Sequence, residues 1–140
     1  MSLYKHIAVA VDGSDNAMRA VDQAVKIIQC CDEDVKVDVV SVIAIDVYSD
    51  MVYDPVQAHG DAQAELVKPA MDKFEAVGVK PELVILHGRP ADEIIRQVEG
   101  GDVDLVVIGS RGLNALQEFA IGSVSHKVIK HVDCPVLVVK

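Results

Sequence analysis

Residues 105–140 read LVVIGSRGLNALQEFAIGSVSHKVIKHVDCPVLVVK, and the order of residue types in this stretch decides the fold. Four branched apolar residues at 105–108 end on Gly109, the pattern of a strand over 104–109 that is buried on both faces. Gly122-Ser123 opens a helix over Ser123–His131, and Cys134-Pro135 introduces a further strand, Val136–Val139. A crossover containing a helix joins parallel strands, so this stretch alone argues for a parallel sheet.

The same alternation continues toward the N-terminus. Residues 6–11 are a buried strand ending at Asp12, and Asp12-Gly13-Ser14-Asp15 is a turn followed by a helix start that Ser14 or Asp15 can cap. Ala17, Ala20, Val21, Ala24, Val25 and Ile28 recur at three- and four-residue spacing, which lays an apolar helical stripe on a sheet. A second strand spans 35–45, and its near-continuous apolar run over 39–45 again suits burial on two faces. Residues 46–60 form a long polar connection with Tyr48, Tyr53 and Pro55, and a helix over 61–77 carries Pro69, which predicts a kink or a break. A third strand over 82–87, a turn at Gly88-Arg89-Pro90 and a helix over 91–99, with Pro90 suited to its first position, complete the order. The result is βαβαβαβαβ, which predicts one doubly wound, Rossmann-like α/β domain over 1–140: a five-stranded parallel sheet in the order 3-2-1-4-5 with helices on both faces.

Composition narrows the function classes. With 140 residues, 51% of them hydrophobic, the chain can bury enough surface for a stable core without disulfides or a structural metal. Its longest apolar runs fall far short of the roughly 20 residues that span a bilayer. Lys5, His6, Asp12 and Asp15 stand among the opening apolar positions, with no long uninterrupted apolar stretch and no small-residue cleavage site, which argues against a secretory signal, so the expected compartment is the cytoplasm. Cys30, Cys31 and Cys134 have neither a disulfide set nor metal spacing and read as thiols in or near the core. The net charge of −9 argues against a nucleic-acid partner. That charge is uneven: residues 1–109 carry nine Lys and Arg against twenty acids, a net of −11, and residues 110–140 carry four against two, a net of +2. A site for a small anion belongs near the C-terminal segment.

In doubly wound sheets ligands sit beyond the carboxyl ends of the strands where the winding reverses, here the ends of the first and fourth strands at Asp12 and Gly109. The turn after Gly109 is the most specific feature of the chain: Gly109-Ser110-Arg111-Gly112, nine residues at 113–121, then Gly122-Ser123, or G-x-x-G-x9-G-S. Glycine there lets backbone amides approach a ligand and permits positive φ, and a helix N-terminus holds a phosphate well. Ser123 and Ser125 add hydroxyl donors and Arg111 a full charge. The same glycines also serve ordinary turn chemistry, and Ser123 or Asp12 alone could be a capping residue. The spacing is not a Walker A loop, and a single Gly13 after the first strand is not the dinucleotide fingerprint. His87-Gly88 stands at the end of the third strand, where a phosphoacceptor receiver domain needs an aspartate. His126 and His131 are five apart, off the spacing that puts two ligands on one helical face, so no metal site is assigned.

The Val-Asp-Gly-Ser segment at 11–14 and the whole of 105–140 resemble the universal stress protein family, and the resemblance runs from the first strand to the last. The G-x-x-G-x9-G-S spacing is similar to the motif that marks the ATP-binding branch of that family. The resemblance implies ATP or another adenine nucleotide, with Mg²⁺, as the ligand. It implies that Gly109 and Gly112 approach ribose and phosphates and that Gly122, Ser123, Val124 and Ser125 grip the phosphate chain. By the same token Asp12 faces the nucleoside, where it accepts from ribose hydroxyls or lies near Mg²⁺. Ala10 and Val11 border the adenosine, and the backbone of Val42 meets the adenine edge. Ser110 and Arg111 stand where the family varies, and the role of Arg111 rests on its charge alone.

Three functions are compatible with this reading. A nucleotide-dependent stress-response regulator uses every feature. An ATPase lacks an evident general base, so no catalytic residue is assigned and hydrolysis is expected to be slow or partner-dependent. An interaction scaffold would use the glycine loop only as structure. The apolar last strand, Val136–Val139, falls at a sheet edge with no helix after it, which predicts a homodimer through that edge, as the family similarly tends to form.

Overall fold

The elements are β1 (His6–Ala10), α1 (Asp15–Gln29), β2 (Lys36–Ala44), α2 (Pro55–Glu75), β3 (Glu82–Gly88), α3 (Pro90–Glu99), β4 (Leu105–Gly109), α4 (Ser123–His131) and β5 (Val136–Val139). They come from a computed structural model that describes residues 3–31, 34–44, 55–111 and 122–140, with residues 55–59 in backbone only. The five strands form one parallel sheet in the order β3-β2-β1-β4-β5, as expected. Winding reverses between β1 and β4, where Ile7 pairs with Leu105 and Val9 with Val107, so the ends of these two strands flank the crevice.

Alternation along each strand splits the core into two layers. Ile7, Val9, Val37, Val39, Leu105 and Val107 pack under α1 and α2, together with Val21, Val67 and Phe74. Ala8, Val40, Val106 and Ile108 point to the other face, against Ile94 and Val98 of α3 and Val128 of α4. Strand residues therefore bury both odd and even positions, which is why β1 and β4 read as continuous apolar runs and β2 as a near-continuous one from residue 39.

Three expectations need correction. The helix expected over 61–77 starts at Pro55, so residues 55–60 belong to α2 and not to the preceding connection; the rest of that connection, 46–54, lies outside the described residues. Pro suits a first helical turn, where its missing N–H is no loss. Nor does Pro69 break α2, which runs on to Glu75. Pro69 and Glu65, whose carbonyl loses its intrahelical partner, are both exposed, so water can serve that carbonyl. Val67, Ala70 and Phe74, all fully buried, hold the helix to the sheet on either side of the proline. Finally, Cys30 is exposed as the C-cap of α1, whereas Cys31 and Cys134 pack against the two core layers; all three are free. Burial pushes the Cys134 thiol up from its ordinary value, as for a packing residue and not a reactive thiolate.

Strand β5 is an edge, with Leu137 at 36% exposure. Among the described residues, no helix is long and apolar enough to cross a membrane.

Candidate functional site

The first wall of the crevice is the turn after β1. Asp12 Oδ1 accepts the Ser14 N–H at 2.9 Å, and Gly13 between them sits at φ +84°, a conformation that strains any residue with a Cβ. Leu66 of α2 covers the same glycine so closely that a Cβ there would lie 2.6 Å from its Cδ1. Ser14 then caps α1, its Oγ accepting the Ala17 N–H at 3.1 Å.

The second wall is the end of β4 and the start of α4. The Ser110 N–H donates to Val139 O at 2.7 Å, continuing the ladder to β5, and the Gly122 N–H donates to Ser110 O at 2.6 Å. That second bond sets the N-terminus of α4 beside the end of β4. The Ser125 hydroxyl donates to Gly109 O at 2.6 Å and is buried. Its proton is therefore committed to the backbone and is not a donor to a ligand, contrary to the expectation for Ser125. Gly109 also has a different reason from the expected one. It is not among the positive-φ glycines, and a Cβ there would lie 2.9 Å from the Asn16 carbonyl carbon and 3.0 Å from its oxygen. Gly109 is required because the first turn of α1 rests directly on β4.

Every described helix of this parallel fold starts at this end of the sheet, and α1, α3 and α4 differ in the charge at their N-termini. Helix α1 has the Ser14 cap and Asp15 in its first turn, and α3 has Pro90 at its start with Asp92 and Glu93 in its first turn. A hydrogen bond from Lys127 holds the Asp92 carboxyl below its usual value, the largest influence on it. Helix α4 has Gly122 as N-cap, with no capping side chain and no acid in its first turn. Its first intrahelical bond runs from the His126 N–H to Gly122 O, so the amides of Ser123, Val124 and Ser125 precede the ladder. Those amides and the positive end of the helix dipole make α4, unlike α1 and α3, a terminus with no acid in its own first turn, and it opens beside Gly109.

Between the two walls lies a cavity of about 470 Å³, within the size range of small-molecule sites. Of the residues singled out in the sequence, Ala10, Val11, Asp12, Val42, Gly109, Arg111, Gly122, Ser123, Val124 and Ser125 line it. Ser110 does not; its Oγ accepts from Asn16 Nδ2 at 3.3 Å instead. Gly112 and the nine-residue insert lie outside the described residues. The cavity also takes in Val40, Ile43 and Ala44 of β2, Pro90 and Ile94 of α3, and Gln63 and Leu66 of α2. The β2 residues neighbour Val42 and could have been found by extending that reading along its strand. Nothing in the local sequence marks Gln63 or Leu66. They arrive because the buried Val67, Ala70 and Phe74 orient α2 over the β1 turn. Among the described residues no cluster of three metal-ligating side chains occurs, and Asp12 is the one carboxylate on the cavity wall.

Comparison with known proteins matches this geometry to one family. A model described as the universal stress protein family matches residues 3–140. The chain is 32% identical over 148 residues to the universal stress protein YxiE of Bacillus subtilis (strain 168), covering 99% of this chain and 100% of that protein. It is similar to a universal stress protein crystallised in complex with cAMP, at 26% identity and a TM-score of 0.73, over 99% of this chain and 98% of the other. A universal stress protein family protein from Arabidopsis thaliana with AMP bound is similar at 26% identity and a TM-score of 0.72, over 97% and 91% of the two chains.

Proposed function

Since this chain belongs to the universal stress protein family, we propose that its crevice binds an adenine nucleotide, ATP with Mg²⁺ in the first instance, and that the protein is a nucleotide-dependent stress-response regulator. The observation that carries this reading is the start of α4, with glycine as its N-cap and no acid in its first turn, opening onto the cavity that Arg111 also lines. Amides of Ser123, Val124 and Ser125 take the phosphates, with the Gly109–Gly112 loop and the Arg111 charge beside them. That two similar proteins were solved with cAMP and with AMP supports an adenine nucleotide over other anions.

The donor set also fits a magnesium ion delivered with the nucleotide. Mg²⁺ is usually held by one or two carboxylates together with substrate phosphates, and Asp12 supplies one carboxylate on the wall. Bound there, the ion would neutralise phosphate charge. Asp12 is already tied to the Ser14 amide, and the described wall offers no second acid to act as a base, which favours binding over turnover as the output.

The dimer expected through β5 is part of the proposal. Its support is the edge position of β5 and the half-open Leu137, a strand that a two-fold partner can pair antiparallel. In this reading the protein acts in the cytoplasm without a nucleic-acid or membrane partner, and the net charge of −9 supports the absence of nucleic acid.

Native mass spectrometry of the purified protein tests ligand and assembly at once. The expected species is a dimer that retains adenine-nucleotide mass. Bare protein that stays bare after incubation with ATP and Mg²⁺ would overturn the ligand, and a monomer at micromolar concentration would overturn the assembly.

A further inference from the structure

The sheet order gives the cavity a direction. Its anion-binding end lies at β4 and α4, and it extends across β1 to the end of β2, two strand spacings or roughly 10 Å away. The far end is walled by apolar side chains, Val42 and Ile43 of β2 with Pro90 and Ile94 of α3. One described side chain there, Gln63 of α2, carries hydrogen-bonding groups. In an apolar pocket a few placed polar groups decide which ligand fits.

The orientation of the Gln63 amide is set by its neighbour. The Ser41 hydroxyl donates its one proton to Val11 O at 2.7 Å, and Ser41 is 1% exposed, so water cannot substitute in that arrangement. At 2.6 Å from Gln63, Ser41 Oγ can then only accept, so the amide must present Nε2 to it. The other end of the amide, Oε1, is left as an acceptor with no donor character and no freedom to flip. An acceptor of that kind pairs with a 6-amino group, as in adenine. Facing the 6-oxo group of hypoxanthine or guanine, it sets lone pair against lone pair at a half-buried place on the cavity wall.

The geometry points to Gln63 as the residue that selects a 6-amino purine over a 6-oxo purine in this cavity, an inference that rests on the adenine-nucleotide reading above. It adds a side-chain determinant from α2 to a site otherwise built from strand ends and the start of α4. Replacing the residue does not orphan its neighbour, because Ser41 keeps Val11 O as its acceptor.

Calorimetric titration of the full chain with AMP and with IMP, in the original protein and in Gln63→Leu and Gln63→Glu, tests it. The original protein should prefer AMP by roughly 10- to 100-fold, the range of one mispaired buried hydrogen bond. Gln63→Leu should reduce that ratio by about tenfold or more. Gln63→Glu keeps an acceptor but has no donor for Ser41 Oγ, so the tether that aims the side chain is lost; the ratio should fall here too, and an unchanged ratio would overturn the part given to Ser41. An unchanged AMP-to-IMP ratio in Gln63→Leu, or no preference in the original protein, overturns the role of Gln63 and leaves nucleotide binding standing. Failure of the original protein to bind either nucleotide overturns both.

Discussion

Gly122→Asp is expected to weaken adenine-nucleotide binding by about 100-fold or more while leaving the protein at least as resistant to heat. An N-cap side chain reaches the amides of the second and third helical residues, which is how aspartate caps a helix. At Gly122 the backbone, φ −60° and ψ 157°, already has the extended conformation that an N-cap aspartate adopts. The new carboxylate would therefore take the amides of α4 that the proposal assigns to phosphate, and its charge would repel a second anion. Each charge-assisted bond contributes roughly 1.5–3 kcal/mol, so the loss of two amounts to at least about two decades in Kd. Titration calorimetry reads the affinity and thermal unfolding reads the fold. Nucleotide affinity within about threefold of the original protein would show that the phosphates lie elsewhere.

His6→Ala is expected to cost about 3–5 kcal/mol of folding stability. His6 opens β1 and Asp38 lies on the adjacent β2; Nε2 and Oδ2 are 2.6 Å apart, and the residues are 7% and 3% exposed. The second carboxylate oxygen, Asp38 Oδ1, is buried with no hydrogen-bond partner among the described residues. The imidazole is thus the stated partner of a carboxylate held inside the protein, and without it that group is left uncompensated. His6→Leu combined with Asp38→Leu removes both halves and should recover most of the loss, because the cost arises from the stranded group and not from the missing contact. Urea unfolding of the single and double variants decides the matter. A single variant within about 1 kcal/mol of the original protein would mean that Asp38 is served by water or by another group.

Much of the architecture is legible because both faces of the sheet are covered. Continuous apolar runs at 7–9 and 105–108, and the near-continuous one over 39–43, can hardly be anything but buried parallel strands once helical stripes lie between them. Strand order then follows from handedness and winding, and with it the facing of Asp12 and Gly109. What is hidden depends on distance in the chain. Pro55 and Pro69 look like punctuation, yet one opens α2 and the other stands on its wet face, because Val67 and Phe74 supply the packing that overrides local propensity. The His6–Asp38 pair is invisible without the register that sets Ala8 beside Asp38. Gly109 and Ser125 are legible as members of the site but not in what they do. The closeness of Asn16 and the carbonyl of Gly109 determine those roles, and both are matters of packing.

The central claim is that main-chain amides at the start of α4 hold the phosphates of an adenine nucleotide. Its most direct test is a titration of the ¹⁵N-labelled protein with ATP and Mg²⁺, followed by the backbone amide resonances of Ser123, Val124 and Ser125. The account predicts that these three move or broaden together, as hydrogen bonds to phosphate require, and that the Asp12–Ser14 turn moves with them. A titration that leaves all three in place, while other resonances shift or none do, would contradict it.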